Sequence, residues 1–283
     1  MTTHVRPPAA APVSPRALVE HCFDPDGRAD LATVYDVAAA LGLEDQPVRL
    51  AVRRLVAAGA VEQTGRGRAG TLRLTADARL RGALDLAYWH VAVQQDEETT
   101  AWDGLWRLLA FSVPEHRRAD RDALRSTLAY LGAVALTPGL YVSPHDLTVA
   151  LAAELPGRDV HADLTTATSA TVVHGGRSLA VQVHDLWPLD AVRAEYERLG
   201  REIGAWRARL AEVRAETSHA APSSIPLAAR IALHAALDRA VGPDPLLPPE
   251  LLPPDWPGPR VRGAFRDTWA ALDGGAPLSV IAR

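Results

Sequence analysis

The sequence predicts an α+β chain with three folded parts: a helical unit closed by a β-hairpin, an alternating α/β sandwich, and a mostly helical C-terminal domain. Three observations predict it. Helical apolar spacing over residues 16–58 gives way to two short alternating runs around a glycine-rich tip. Strand-like and helix-like runs then alternate between residues 101 and 185. From Pro188 onward the apolar spacing is helical over long stretches.

Residues 1–15 are rich in Pro, Ala and Thr and read as a disordered tail. A first helix begins over Arg16–Phe23. A second opens at Asp30–Leu31, carries Val34, Val37, Ala38 and Leu41 at helical spacing, and ends at Gly42. A third runs from Asp45 to Ala58, with Pro47 in its first turn and Gly59 as its stop. Val48, Val52, Leu55 and Val56 form its apolar stripe, and Gln46, Arg49 and Arg53 lie opposite. Ala60–Gln63 and Thr71–Leu74 read as strands flanking Gly65-Arg66-Gly67-Arg68-Ala69-Gly70. Three helices and a hairpin make a winged helix-turn-helix, expected with a linker helix (Ala76–Gln95) to span residues 16–95. Polar Asp96–Thr100 reads as a hinge.

In the middle region, Trp106–Val113 reads as a buried strand and Arg117–Leu131 as an amphipathic helix. Ala133–Leu136 and Leu140–Val142 are strands about Thr137-Pro138-Gly139, Leu147–Leu155 a helix and Asp159–Leu164 a strand. The β-α-β-β-α-β order predicts a ferredoxin-like sandwich over residues 101–185. The pattern at 171–184 is open as to a further strand. The C-terminal domain, 186–283, carries helices expected at Leu189–Glu216, Pro226–Val241 and Arg260–Leu272. Between the last two, residues 243–259 hold eight prolines in seventeen residues together with Leu246, Leu247, Leu251, Leu252 and Trp256. That much apolar surface predicts an ordered strap rather than a disordered linker.

At 283 residues the chain can bury a real core, and 48% hydrophobic with 23% charged residues is ordinary for a soluble globular protein. The net charge of −4 hides an asymmetry: residues 46–81 hold eight Arg against two acids, Glu62 and Asp77, a local balance of +6. A basic patch on an acidic chain is the electrostatic footprint of a nucleic-acid-binding surface, although solvated arginines also cluster by chance. The single cysteine, Cys22, excludes an internal disulfide framework and reads as a small core residue. No run has the apolar length of a membrane span and the first residues lack a signal pattern, so no membrane partner and a cytoplasmic location are expected.

Gln46, Arg49 and Arg53 share one helix face, and Arg pairs bidentately with guanine as Gln does with adenine, so they are candidate base readers in double-stranded DNA. Arg54, one step round, suits phosphate or a neighbouring acid. Arg66, Arg68 and Arg73 on the hairpin suit phosphate or the minor groove. One recognition helix covers only a few base pairs, which predicts a homodimer on an inverted repeat. Arg117, Arg121 and Arg125 form an i, i+4, i+8 stripe, with Arg118 beside it. The stripe suits the phosphates of a thioester ligand, or equally a solvated face paired with Asp120 and Asp122. Trp102, Trp106 and Tyr141 fit a core or an apolar pocket, and His145 a helix-start position or a ligand contact. His161, His174 and His184 lack carboxylates at metal-ligand spacing, and neither a phosphate-cradling glycine motif nor a nucleophile elbow is present. No enzyme activity, cofactor or metal is expected.

Trp102-Asp103-Gly104-Leu105-Trp106-Arg107-Leu108-Leu109-Ala110-Phe111-Ser112-Val113-Pro114-Glu115, with Arg121-Asp122-Ala123-Leu124-Arg125 and Leu131-Gly132 after it, resembles the central domain of the PaaX family, repressors of phenylacetic acid catabolism and their relatives. Pro138–His145 resembles the segment that follows in that family, Asp244–Gly258 its C-terminal signature, and Val48-Arg49, Val52, Arg54-Leu55 and Gly59 its winged-helix domain. The resemblance implies a transcriptional repressor released from its operator by a small-molecule effector, an acyl-CoA such as phenylacetyl-CoA. Trp102, Trp106, Arg107, Arg117, Arg121, Arg125 and His145 are then the candidate effector contacts. The alternative is a metal-dependent nuclease of the CRISPR-associated ferredoxin-like type, which needs an acid at the end of the first sandwich strand. Here that position reads Ser112-Val113-Pro114, with Glu115 beyond it.

Overall fold

A computed structural model describes residues 13–24, 26–75, 95–96, 101–155, 163–216 and 224–273. The chain is α+β. Its elements in order are α1 (Pro15–His21), β1 (Arg28–Asp30), α2 (Leu31–Ala40), α3 (Asp45–Ala57), β2 (Val61–Thr64), β3 (Thr71–Leu74), β4 (Trp106–Phe111), α4 (Arg118–Tyr130), β5 (Val134–Thr137), β6 (Leu140–Ser143), α5 (Thr148–Glu154), β7 (Leu164–Ser169), β8 (Val173–His174), β9 (Arg177–Ser178), α6 (Val183–Leu186), α7 (Leu189–Glu216), α8 (Ser224–Val241) and α9 (Gly258–Asp273). The chain divides into two compact units. One comprises residues 1–93, 195–239 and 257–283, the other 94–194 and 240–256. The expected linker helix at Ala76–Gln95 and hinge at Asp96–Thr100 lie largely outside the described residues, as do residues 1–12 of the tail.

In the first unit, Ser14 caps α1 by accepting a hydrogen bond from the Ala17 amide. Leu18 and Val19 of α1, Val34, Val37 and Ala38 of α2, and Val48, Val52 and Leu55 of α3 are buried. Three short antiparallel strands in the order β1-β3-β2 close this part. β1 was not expected: three residues are too few to show an alternating pattern, and only Ala29 between Arg28 and Asp30 is buried. Cys22 is half-buried, and burial pushes its thiol up to about 12, so it is a packing group and not a thiolate nucleophile. Along α7 from Glu195 onward, Tyr196, Leu199, Ile203, Trp206, Leu210 and Val213 are buried at alternating steps of three and four, a single helical stripe. α8 is alanine-rich and, within this unit, buried on most sides from Ala228 to Leu237.

The second unit is a four-stranded antiparallel sheet in the order β5-β6-β4-β7. Leu109 of β4 and Tyr141 of β6 pack with Leu124 and Leu128 of α4 and Leu151 of α5 on one face. Trp106 of β4 and Val142 of β6 pack with Leu179, Val183, Trp187, Leu189 and Leu247 on the other. β4 is therefore covered on both faces, which is why its residues are apolar apart from Arg107. The final sheet strand was expected at Asp159–Leu164. Residues 159–162 of that span lie outside the described residues, and the described strand that pairs with β4 is Leu164–Ser169, Phe111 opposite Leu164 and Trp106 opposite Ser169. Its Thr-rich, exposed residues carry little of the apolar signal by which strands are read. Residues 171–184, left open, form a two-residue-per-strand hairpin, a 3-10 turn and α6.

The proline-rich segment is ordered. Leu246 and Leu247 are buried, and Leu246 holds a left-handed φ of 49°. The Leu246 carbonyl accepts bonds from Gln95 Nε2 at 2.9 Å and His145 Nε2 at 2.7 Å, and Asp244 Oδ1 accepts from the Leu246 amide at 2.9 Å. These bonds hold a backbone conformation that a leucine alone disfavours. Farther along, Arg193 makes two 3.0 Å bonds to Asp255 and lies 5.5 Å from the Trp256 ring.

Candidate nucleic-acid interface

α3 starts with Asp45 in its first turn, where a carboxylate favours the positive end of the helix dipole. It stops by geometry. The Ala60 amide bonds the Leu55 carbonyl and the Gly59 amide bonds the Val56 carbonyl, both at 3.0 Å, with Gly59 at φ 66°. That pair of bonds is a Schellman cap, and it needs a residue tolerant of the left-handed region. Between the two ends, Val48, Ala51, Val52 and Leu55 face the core. Val56, expected on the buried stripe, is 38% exposed, and Ala51 is buried instead.

Gln46, Arg49, Arg53 and Arg54 are all exposed on α3. The hairpin adds Arg66 at its tip and Arg73 on β3, both exposed. Among the described residues, Arg49, Arg53, Arg54, Arg66 and Arg73 have no acid within ion-pair distance. A set of cations without acid partners is what a polyanion surface requires. Arg68 differs. Its Nη1 lies 2.6 Å from Asp36 of α2, and its guanidinium is 5.5 Å from the ring of the buried Tyr35. The hydrogen bond to Asp36 raises its pKa further. Arg68 thus ties the hairpin tip to α2. Sequence reading missed Arg28, which pairs across the sheet with Arg73, while Arg73 also faces Glu62 on β2. The only signal for Arg28 was its place two residues before a helix cap.

The residues considered for an effector fall in three settings. Trp106 is 2% exposed and sits between Trp102, edge-on at 5.1 Å, and Trp187, stacked at 6.1 Å. Arg107 pairs with Asp103 and donates to the carbonyls of Leu105 at 2.7 Å and Pro144 at 2.8 Å. His145 is held by the strap, as above, and burial lowers its pKa against the raising effect of the Leu246 carbonyl, with Arg107 nearby lowering it further. Arg117 bonds both Asp120, at 2.9 Å, and Asp163, at 2.6 Å. Arg121 pairs with Glu115 at 2.8 Å, and Arg121 holds that carboxyl below its usual range. Arg125 is exposed. The Arg117–Arg121–Arg125 stripe is therefore largely a set of local ion pairs. Of the histidines set aside above, His174 and His184 lie on β8 and α6, and His161 is outside the described residues.

Two family models match the chain: the PaaX protein central Cas2-like domain over residues 99–181 and the PaaX-like protein C-terminal domain over residues 187–278. Among solved structures, the uncharacterized protein Rv0674 from Mycobacterium tuberculosis is similar in fold. Its TM-score is 0.52 at 22% identity, over 94% of this chain and 97% of that one. No curated protein matches the chain. Among the described residues, no helix is long and apolar enough to cross a membrane.

Proposed function

The chain belongs to the PaaX family, and from that premise we propose that it is a DNA-binding transcriptional regulator. The three helices and three-stranded sheet of residues 16–75 are read as a winged helix, with α3 as the recognition helix. The β5-β6-β4-β7 sheet with its two helices is read as a ferredoxin-like domain over 101–185, and 186–283 as a helical C-terminal domain. The observation that carries the reading is the face of α3. Gln46, Arg49 and Arg53 are exposed on the side of α3 away from Val48, Val52 and Leu55, and Arg49, Arg53, Arg54, Arg66 and Arg73 lack acid partners among the described residues.

The regulator is further proposed to be a homodimeric repressor on an inverted repeat, released by an acyl-CoA. The dimer follows from the short reach of one recognition helix, and the effector follows from the family resemblance. A metal-dependent nuclease has less support. Catalysis by bound metal needs carboxylates free to converge on a phosphate, and at the end of β4 the nearest ones, Glu115 and Asp163, bond Arg121 and Arg117.

Salt-dependent binding to the DNA upstream of the gene tests the function. Arg49→Ala or Arg53→Ala should cost about 1–3 kcal/mol at the specific site. Arg66→Ala should weaken all duplexes alike and flatten the salt slope by about one. Unchanged binding by all three variants overturns the DNA-binding surface. Titration of the complex with acyl-CoA esters and the free acids tests the effector separately, and light scattering at operator-saturating concentration tests the dimer.

A further inference from the structure

Outside the proposed DNA surface, one cluster of side chains has no role so far. His234 and Asp238 are one turn apart on α8 and share a face. His21, the last residue of α1, meets them within the same compact unit. His21 Nδ1 lies 2.7 Å from the Ala17 carbonyl. A carbonyl can only accept, so Nδ1 carries the proton and Nε2 carries a lone pair. That lone pair faces His234 Nδ1 at 2.6 Å. His234 Nδ1 is 3.2 Å from Asp238 Oδ2, and His21 Nε2 is 3.9 Å from the same oxygen. Three donor atoms thus converge on one point, where a single proton on His234 Nδ1 serves both neighbours.

We propose that His21 Nε2, His234 Nδ1 and Asp238 Oδ2 form a binding site for a divalent first-row transition cation of the Zn2+ type. The three separations straddle the edge of a tetrahedron with bonds of about 2.0–2.1 Å, an edge of about 3.3 Å. Small rotations of the two rings and the carboxylate therefore suffice. On binding, the His234 proton moves from Nδ1 to Nε2 and the ring stays neutral. Two imidazoles and a carboxylate suit Zn2+, Co2+ or Ni2+ rather than the all-oxygen sites of Mg2+ and Ca2+. The Ala17 carbonyl is the outer partner that fixes a ligating imidazole in the correct tautomer. Burial, and after it the neighbouring His234, pushes the His21 pKa down to about 4, so His21 is already in its ligand form at neutral pH. The two histidines are 19% and 20% exposed and Asp238 is 56% exposed. A cation can thus enter past the aspartate, leaving a fourth position for water. α1 packs against α3, so the ion would fasten the helix behind the arginine-bearing face to α8.

Chelator-treated full-length protein, with no DNA present, should bind one Co2+ per chain with the strong visible absorption of a tetrahedral N/O site. Zn2+ should displace the Co2+, and Zn2+ should raise the thermal midpoint. Asp238→Asn, at an exposed position that the fold tolerates, should weaken Zn2+ binding at least 10-fold, and His234→Gln should abolish it. Circular dichroism checks that each variant is folded. Absence of stoichiometric binding by the parent, an octahedral Co2+ spectrum, or equal affinity in the folded variants overturns the site. None of these readouts depends on DNA, so the outcome is independent of the proposed regulator function.

Discussion

Arg68 on the hairpin reaches across to α2 and sets its guanidinium 2.6 Å from the Asp36 carboxylate. Both side chains are more than half exposed, at 55% and 57%, so solvent screening leaves the pair little net stabilising effect. Its consequence is for charge. Asp36 neutralises one of the arginines that the proposed interface would present. Asp36→Asn should leave stability nearly unchanged while raising affinity for any duplex and steepening the salt slope by about one. A slope equal to that of the parent means that Arg68 touches no phosphate even when released.

Gly132 should not tolerate a side chain. Its φ is 80°, and a Cβ there would meet Pro245 Cα at 2.9 Å, a backbone atom that cannot turn aside. The left-handed backbone alone costs a non-glycine residue about 1–2 kcal/mol. Gly132→Ala is therefore expected to lose about 2 kcal/mol or more in urea unfolding. A loss under about 0.5 kcal/mol would mean that the proline segment shifts freely.

Trp106 is expected to act as core. Buried between Trp102 and Trp187, it should cost about 3–5 kcal/mol on conversion to alanine. If Trp106→Ala instead keeps the parent's stability and loses only acyl-CoA response, the ring lines a pocket.

His145 gives a pH dependence whose sign is set by its lowered pKa. The folded state disfavours the imidazolium, because burial and Arg107 outweigh the Leu246 carbonyl. The unfolded chain takes up a proton below about pH 6.5, so the contribution is present above that pH and is lost as pH falls toward the depressed folded value. His145→Gln, able to donate to the same carbonyl, should show a smaller loss of stability between pH 7.5 and pH 5 than the parent, both measured with metal removed. Identical pH profiles would exclude His145 as a source of the effect.

Much of this chain was legible in its sequence where structure is local. The 28-residue helix from Leu189 to Glu216 stands at the bounds read from its apolar spacing, because one unbroken stripe of alternating fours and threes has no other periodic reading. The α3 surface was legible too, since a 3.6-residue period alone turns Gln46 and Arg53 away from Val48, Val52 and Leu55 and sets Arg49 on the flank beside them. The ordered proline segment could be foreseen from its leucines, although not the carbonyl of Leu246 that holds it. What tertiary structure decided were pairings between residues distant in sequence. β1 exists because β3 is beside it, and β7 is placed by β4 rather than by its own threonines. Arg68 reads as a free cation until α2 brings Asp36. Local propensity and periodicity act over a few residues and are written in the chain. Ion pairs, strand partners and the meeting of His21 with His234, 213 positions apart, depend on which surfaces pack, and packing is set by the whole core at once.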